Sequence, residues 1–293
     1  MDDIKKYVSE KRPQLSKSSV TTYSSILKNL YSKIWGAGSV NFDKFDDTDK
    51  VLEFLKDIPP NRRKTILSSL VIITDKKPYR ELMMNDVKDY NSEIQKQEKT
   101  DTQEENWVST NDIKQIYDNL KTNAELLYKK KSLTSSDLQE IQNYIIVSVL
   151  GGIYIPPRRS KDYVDFKIKN INKEKDNYLD KSKMYFNSYK TAKTYGQQVI
   201  EMPTELKKIL TKWIKVNPTE YLLFDTNGNQ LSSVKLNQRL NKIFGMKAGV
   251  NALRHSFLTD KYKKTSEESK ALAKDMTAMG SSKNMADTYI KLD

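Results

Sequence analysis

Residues 93–106 read Glu-Ile-Gln-Lys-Gln-Glu-Lys-Thr-Asp-Thr-Gln-Glu-Glu-Asn, with Ile94 the single apolar side chain. A run this polar cannot cross a hydrophobic interior, so the apolar residues on either side must bury themselves in separate cores. At 293 residues the chain is long enough for two such cores. The expected division is a first domain over 1–95, a linker over 96–106 and a second domain over 107–293. The second starts where Trp107 restores apolar content just ahead of the cap-like pair Ser109-Thr110.

Helical periodicity dominates the first part. Val20, Tyr23, Leu27, Leu30, Tyr31 and Ile34 recur every three or four residues over 18–34, with Ser16 as an N-cap. A second helix is expected over 47–58, and Pro59-Pro60 both ends it and starts a third reaching Ile73. Pro78 then opens a fourth, from Tyr79 to about Ile94. In the second part, helices are expected over 109–126, 135–150, 203–216, 233–244, 249–263 and 268–279. The one at 135–150 is dense enough in Ile, Val and Leu to be central, and Gly151-Gly152 closes it. Residues 184–191 and 196–202 alternate and are rich in Tyr, Phe, Val and Ile, which predicts a hairpin turning at Ala192-Lys193-Thr194. The expected fold class is therefore mainly α with a small antiparallel sheet.

The charge balance names a partner. Lys and Arg number 51 against 38 Asp and Glu, a net +13, and such an excess attracts polyanions through counterion release and long-range steering. Nucleic acid is the first to consider. The chain has no cysteine, which removes disulfides, thiolate metal sites and cysteine nucleophiles, and His255 is its only histidine, which removes a histidine-rich zinc site. No apolar run approaches the roughly twenty residues a bilayer span needs, and the start has no signal-peptide core. An intracellular, soluble protein is expected, in the cytoplasm or nucleus of its host, with no membrane, metal or cofactor.

Three stretches of the second part carry residue types suited to phosphate chemistry: Pro157-Arg158-Arg159-Ser160-Lys161-Asp162-Tyr163, then Tyr189-Lys190-Thr191-Ala192-Lys193, and finally Asn251-Ala252-Leu253-Arg254-His255-Ser256-Phe257 followed by Met279-Gly280-Ser281 and Met285-Ala286-Asp287-Thr288-Tyr289. Cutting a phosphodiester through a tyrosine needs a nucleophile, cations at the non-bridging oxygens, a proton acceptor and a donor for the leaving 5′-oxygen. A tyrosine hydroxyl ordinarily titrates near about 10, so it needs cationic neighbours, and the planar guanidinium fork suits the phosphate oxygens.

The order and spacing of these stretches resemble the catalytic domain of the tyrosine recombinase (phage integrase) family, over about 107–293. Leu-Arg-His-Ser-Phe reproduces the family's string around its second arginine, Arg254, and Met-Ala-x-x-Tyr selects Tyr289 as nucleophile. The family's first arginine has an acid three residues later and apolar residues four and seven later. Arg159 satisfies this with Asp162, Tyr163 and Phe166, and Arg158 is the neighbouring candidate. The resemblance makes Lys190 the donor to the leaving oxygen, with Lys193 as runner-up. Two family histidines are replaced: Asn251 stands three before Arg254, and Ser281 follows Gly280, with Ser282 or Lys283 able to take over. His255 is expected to be buried and structural.

The first domain is similar to the family's core-binding domain in size, helicity and position, with Lys17, Arg62, Arg63 and Lys64 near helix starts where they can reach phosphates. The resemblance implies site-specific recombination or integration of double-stranded DNA, serving a mobile element or virus, through a 3′-phosphotyrosine. It also implies a homotetramer on synapsed DNA and a monomer or dimer when free. Relaxation in the manner of a type IB topoisomerase, and a decayed DNA-binding protein, are the alternatives.

Overall fold

The computed structural model describes residues 1–290, which form two compact units, one over Met1–Lys99 and the other beginning at Thr100. The first is helical: α1 (Asp2–Lys11), α2 (Lys17–Trp35), a 3₁₀ turn (Phe42–Asp46), α3 (Thr48–Leu55), α4 (Pro60–Thr74) and α5 (Lys77–Lys96). Ser16 Oγ accepts from Ser19 N–H and caps α2, and Pro60 fits the first turn of α4, where no amide partner is needed. Val8, Leu27, Phe45, Val51, Leu55, Leu67 and Leu70 are fully buried and form the core. Tyr79 joins them, its hydroxyl donating to Phe45 O at 2.7 Å.

The second unit opens with the short α6 (Asp101–Glu105), which falls inside the stretch expected to be a linker. Thr100 and Gln103 make a capping box that stabilises this turn without any core. Then come α7 (Thr110–Leu127) and α8 (Ser135–Leu150), each started by a capping box with an aspartate at its third position. Helix α8 is buried almost all round. Gln142 inside it donates to Phe224 O at 2.9 Å and accepts from Phe224 N–H at 2.8 Å, so a crossing chain satisfies its amide in the core.

A short α9 (Ser160–Val164) leads into the sheet: β1 (Phe166–Lys167), β2 (Asn177–Asp180), β3 (Lys183–Phe186), the one-turn α10 (Ala192–Tyr195) and β4 (Gln198–Glu201). The expected hairpin is β3 with β4, Met184 opposite Ile200. The sheet is mixed, however, since β1 and β2 run parallel. The departure from an all-antiparallel sheet has a local cause. β1 is too short to show periodicity, and β2 begins with adjacent buried residues, Asn177 and Tyr178, so it does not alternate.

Helices α11 (Thr204–Val216) and α12 (Ser233–Phe244) cover the core with Leu206, Leu210, Trp213, Leu236 and Leu240. Next comes α13 (Val250–Ala278), one helix where the sequence predicted two. The polar residues between the two expected pieces include neither Gly nor Pro, and Lys264 pairs with Glu268 one turn on, so nothing interrupts the ladder. Gly280, at φ 72°, ends it: Gly280 N–H donates to Thr277 O and Ser281 N–H to Met276 O, the Schellman pattern. A 3₁₀ turn (Lys283–Met285) and α14 (Ala286–Tyr289) follow. No described helix is long and apolar enough to cross a membrane.

Candidate active site

The family-like string at the start of α13 divides its residues between anchoring and presentation. Val250 N–H donates to Asn237 Oδ1 at 2.9 Å, which caps the helix. Leu253 is fully buried, and the buried Ser256 hydroxyl donates to Val108 O at 2.5 Å. Phe257 packs over Gly152, whose φ of 74° and lack of a side chain make room: a Cβ there would lie 2.6 Å from the Phe257 ring. With Leu253, Ser256 and Phe257 turned inward, Arg254 faces a cleft of about 390 Å³ that Arg158, Arg159, Asp162, Tyr189 and Gln198 also line. His255 is exposed, not buried as expected, because it falls on the solvent side of this anchored turn.

The adjacent arginines are used differently. Arg158 Nε donates to Asp162 Oδ2 at 2.9 Å and Nη1 to Gln198 Oε1 at 2.6 Å, and its guanidinium lies 4.0 Å from the Phe186 ring centroid. Its side chain is 15 % exposed and Asp162 only 2 %. Burial raises the Asp162 pKa, with Arg158 and Arg159 opposing. Arg159 stands at the N-cap of α9, exposed, with no side-chain partner among the described residues. Arg254 is lowered from the ordinary arginine range, first by burial and then by the repulsion of Arg159. Among the described residues its side chain makes one hydrogen bond, a long one from Nη1 to Asn251 Oδ1 at 3.4 Å, which sets the exposed Asn251 on the same face. Arg159 and Arg254 thus keep most of their donors unspent beside a braced Arg158, the arrangement an anion with several oxygens requires.

Lys190 and Lys193 are exposed on the connection between β3 and β4, whose Tyr189, Thr191 and Tyr195 line the cleft. What holds this connection is Asn177, which the sequence reading passed over. Its Nδ2 donates to Asp162 O (3.0 Å) and Ser188 O (2.8 Å), and its Oδ1 accepts from Asn187 N–H (2.8 Å) and Ser188 N–H (2.7 Å). One fully buried amide therefore ties the arginine turn to the lysine-bearing loop. Nothing in the sequence singled it out, since β2, which Asn177 begins, is too short and too irregular to be read as a strand. Nor did anything single out Gln198, the brace on Arg158.

Ser281 and Tyr289 are not brought to the cleft. Between Ser256 and Met276 no residue of α13 is buried, and Arg254 and Met276 are about 33 Å apart along the axis. At that far end Met276 and Ala286 are buried, Lys283 donates to Ser269 Oγ, and Tyr289 is 56 % exposed.

In the first unit, Lys17 and Arg62 are exposed. Arg63 is not available to a phosphate as expected. Its Nε and Nη2 are paired with both oxygens of Asp86 (2.9 and 2.7 Å) and Nη1 donates to Lys56 O, because α4 turns this position toward α5. Lys64 lies over the Tyr90 ring, 2.7 Å from its centroid, and burial lowers its pKa.

No protein-family model matches this chain, and no curated protein matches it.

Proposed function

We propose that the chain cuts and rejoins duplex DNA as a tyrosine recombinase does. The reading is carried by one observation: two arginines distant in sequence, Arg159 and Arg254, meet with unspent donors in an open cleft. In the proposed step the Tyr289 hydroxyl gives up its proton to water as its oxygen attacks phosphorus to form the phosphotyrosine ester, the P–O5′ bond breaks, and the leaving oxygen takes a proton from Lys190 or Lys193. Arg159 and Arg254 neutralise the charge that grows on the non-bridging oxygens. Asn251 donates to the same phosphate, and Ser281, Ser282 or Lys283 stands beside the nucleophile. Lys17 and Arg62 contribute phosphate contacts from the first unit.

Tyr289 follows the C-terminal end of the exposed α13 and does not line the arginine cleft, so the reaction belongs to an assembly in which one copy's tyrosine meets another's arginines. Exposed Leu258, Tyr262, Met279 and Met285 along this arm support a protein partner. A homotetramer on two synapsed duplexes, monomeric or dimeric when free, satisfies this. The same separation favours a second reading, a DNA-binding protein that no longer cuts.

Nicked suicide duplexes test both. The wild type is expected to form a covalent adduct, Tyr289→Phe none, and Arg159→Ala and Arg254→Ala about a hundredfold less. Mixing Tyr289→Phe with Arg254→Ala restores the adduct if the tyrosine acts between copies. Absence of any wild-type adduct selects the non-cutting reading.

A further inference from the structure

Helix α11 presents a face that shares no residue with the arginine cleft. Thr204, Lys207, Lys208, Thr211, Lys212 and Lys215 fall within about 140° of helical arc and line a shallow groove of about 430 Å³. All four lysines are exposed and carry no ion pair among the described residues, although lysines elsewhere in this unit are paired, as in Lys130–Asp137, Lys173–Asp180 and Lys235–Asp225. Lys208 with Lys212, and Lys212 with Lys215, sit at the spacings where like charges oppose the helix. Below this face a second groove of about 250 Å³ shares Lys208 and Lys212 and is walled by tyrosines together with Lys121, Glu125 and Glu205. Lys212 stands 4.0 Å over the Tyr128 ring, and the buried Tyr128 hydroxyl has no partner among the described residues.

We infer that this face holds the phosphate backbone of a second duplex segment while the first occupies the arginine cleft, an inference that rests on the DNA reading above. Lys207 to Lys215 cover about 12 Å of helix axis, and one strand of duplex DNA carries a phosphate every ~3.4 Å of its axis. Because the strand winds as it rises, the four ammonium groups on their flexible stems meet about two or three consecutive phosphates, with the threonine hydroxyls as further donors. The chemistry is specific to a polyanion. Leu206, Leu210 and Trp213 are buried in the core and Ile209, Ile214 and Val216 are partly buried, so the lysine arc itself carries no apolar side chain with which to enter a bilayer. Two separate cationic surfaces on one unit let a single chain bridge two duplexes.

The test is a bridging assay with the full chain: one duplex tethered to beads, the other fluorescent and free. Lys207, Lys208, Lys212 and Lys215 are each replaced by glutamine in one variant, and Lys207→Gln with Lys215→Gln in a milder one. The wild type is expected to capture the free duplex, the fourfold variant at least tenfold less and the double variant an intermediate amount. Covalent trapping on a single nicked duplex, where two copies bound side by side suffice to bring one tyrosine to the other's arginines, should stay within about twofold. Failure of the wild type to capture, or equal capture by the fourfold variant at an unchanged unfolding temperature, overturns the inference. So does a loss confined to phosphatidylserine vesicles or to an acidic polypeptide. If no protein forms an adduct, the cleavage proposal falls while the capture result still decides this one.

Discussion

Neighbouring arginines in this chain have opposite fates, and the difference is set by which way one helical or loop residue turns. Arg63 is 15 % exposed and bonded to both oxygens of Asp86, itself 2 % exposed, whereas Arg62 is exposed. Removing one partner of such a pair strands a buried charge, so Arg63→Ala should lower unfolding stability by about 3 kcal/mol or more in thermal or urea melts. Arg62→Ala should leave the melt unchanged and reduce the salt slope of DNA binding by about 1. A stable Arg63→Ala protein with weakened DNA binding would return that residue to the phosphate-facing group. Asp137 supplies a pH signature. Its hydrogen bonds with Lys130 and with the backbone of Thr134 hold its pKa at about 2, below the ordinary 3.8. A depressed carboxyl stabilises the fold fully above its unfolded value and loses that contribution as pH falls through the folded one. Between pH 4 and pH 2 the wild-type melting temperature should therefore fall more steeply than that of Asp137→Asn. Parallel curves would show that the pair contributes nothing.

Helix α13 decides what the arginine cleft can do. Its first two turns are fixed by Asn237, Val108 and the space over Gly152, and the rest leaves the core. Gly152→Val introduces both a side chain 2.6 Å from the Phe257 ring and an L-residue at φ 74°. The expected cost is about 2–4 kcal/mol of stability, and the tilt it forces on α13 should move Arg254 and reduce adduct formation more than DNA affinity. Unchanged melting and cleavage would mean that this contact does not position the arginine. The start and end of α13 were legible in the sequence through Gly249 and Gly280. Its continuity was not, because a solvent-exposed arm has no apolar period to read, and the polar stretch around Ser266 looks the same in a helix as in a loop.

Across the whole chain the basic excess is the broadest functional signal. If exposed cations of both units meet about six phosphates, log K for duplex binding should fall with a slope near −5 against log salt. Filter or anisotropy titrations from low to moderate salt measure this, and a slope near zero would remove nucleic acid as the partner. The net charge says nothing about where the charge gathers. Of the lysines on α11 the sequence showed only their number, since their exposure as one unpaired face depends on Leu206, Leu210 and Trp213 being drawn into the core.

The helical character, most helix starts and the three arginines of the cleft, Arg158, Arg159 and Arg254, were written in the sequence. Caps, prolines, glycines and the 3.6-residue apolar period act within a few residues of one another and are written locally. The parallel pairing of β1 with β2, the bracing of Arg158 by Gln198, the four bonds of Asn177 and the inward turn of Arg63 were decided only by tertiary structure. Each joins residues far apart in the chain or on different elements, and the free energy that selects them arises only when a polar group must find its partner inside a closed core.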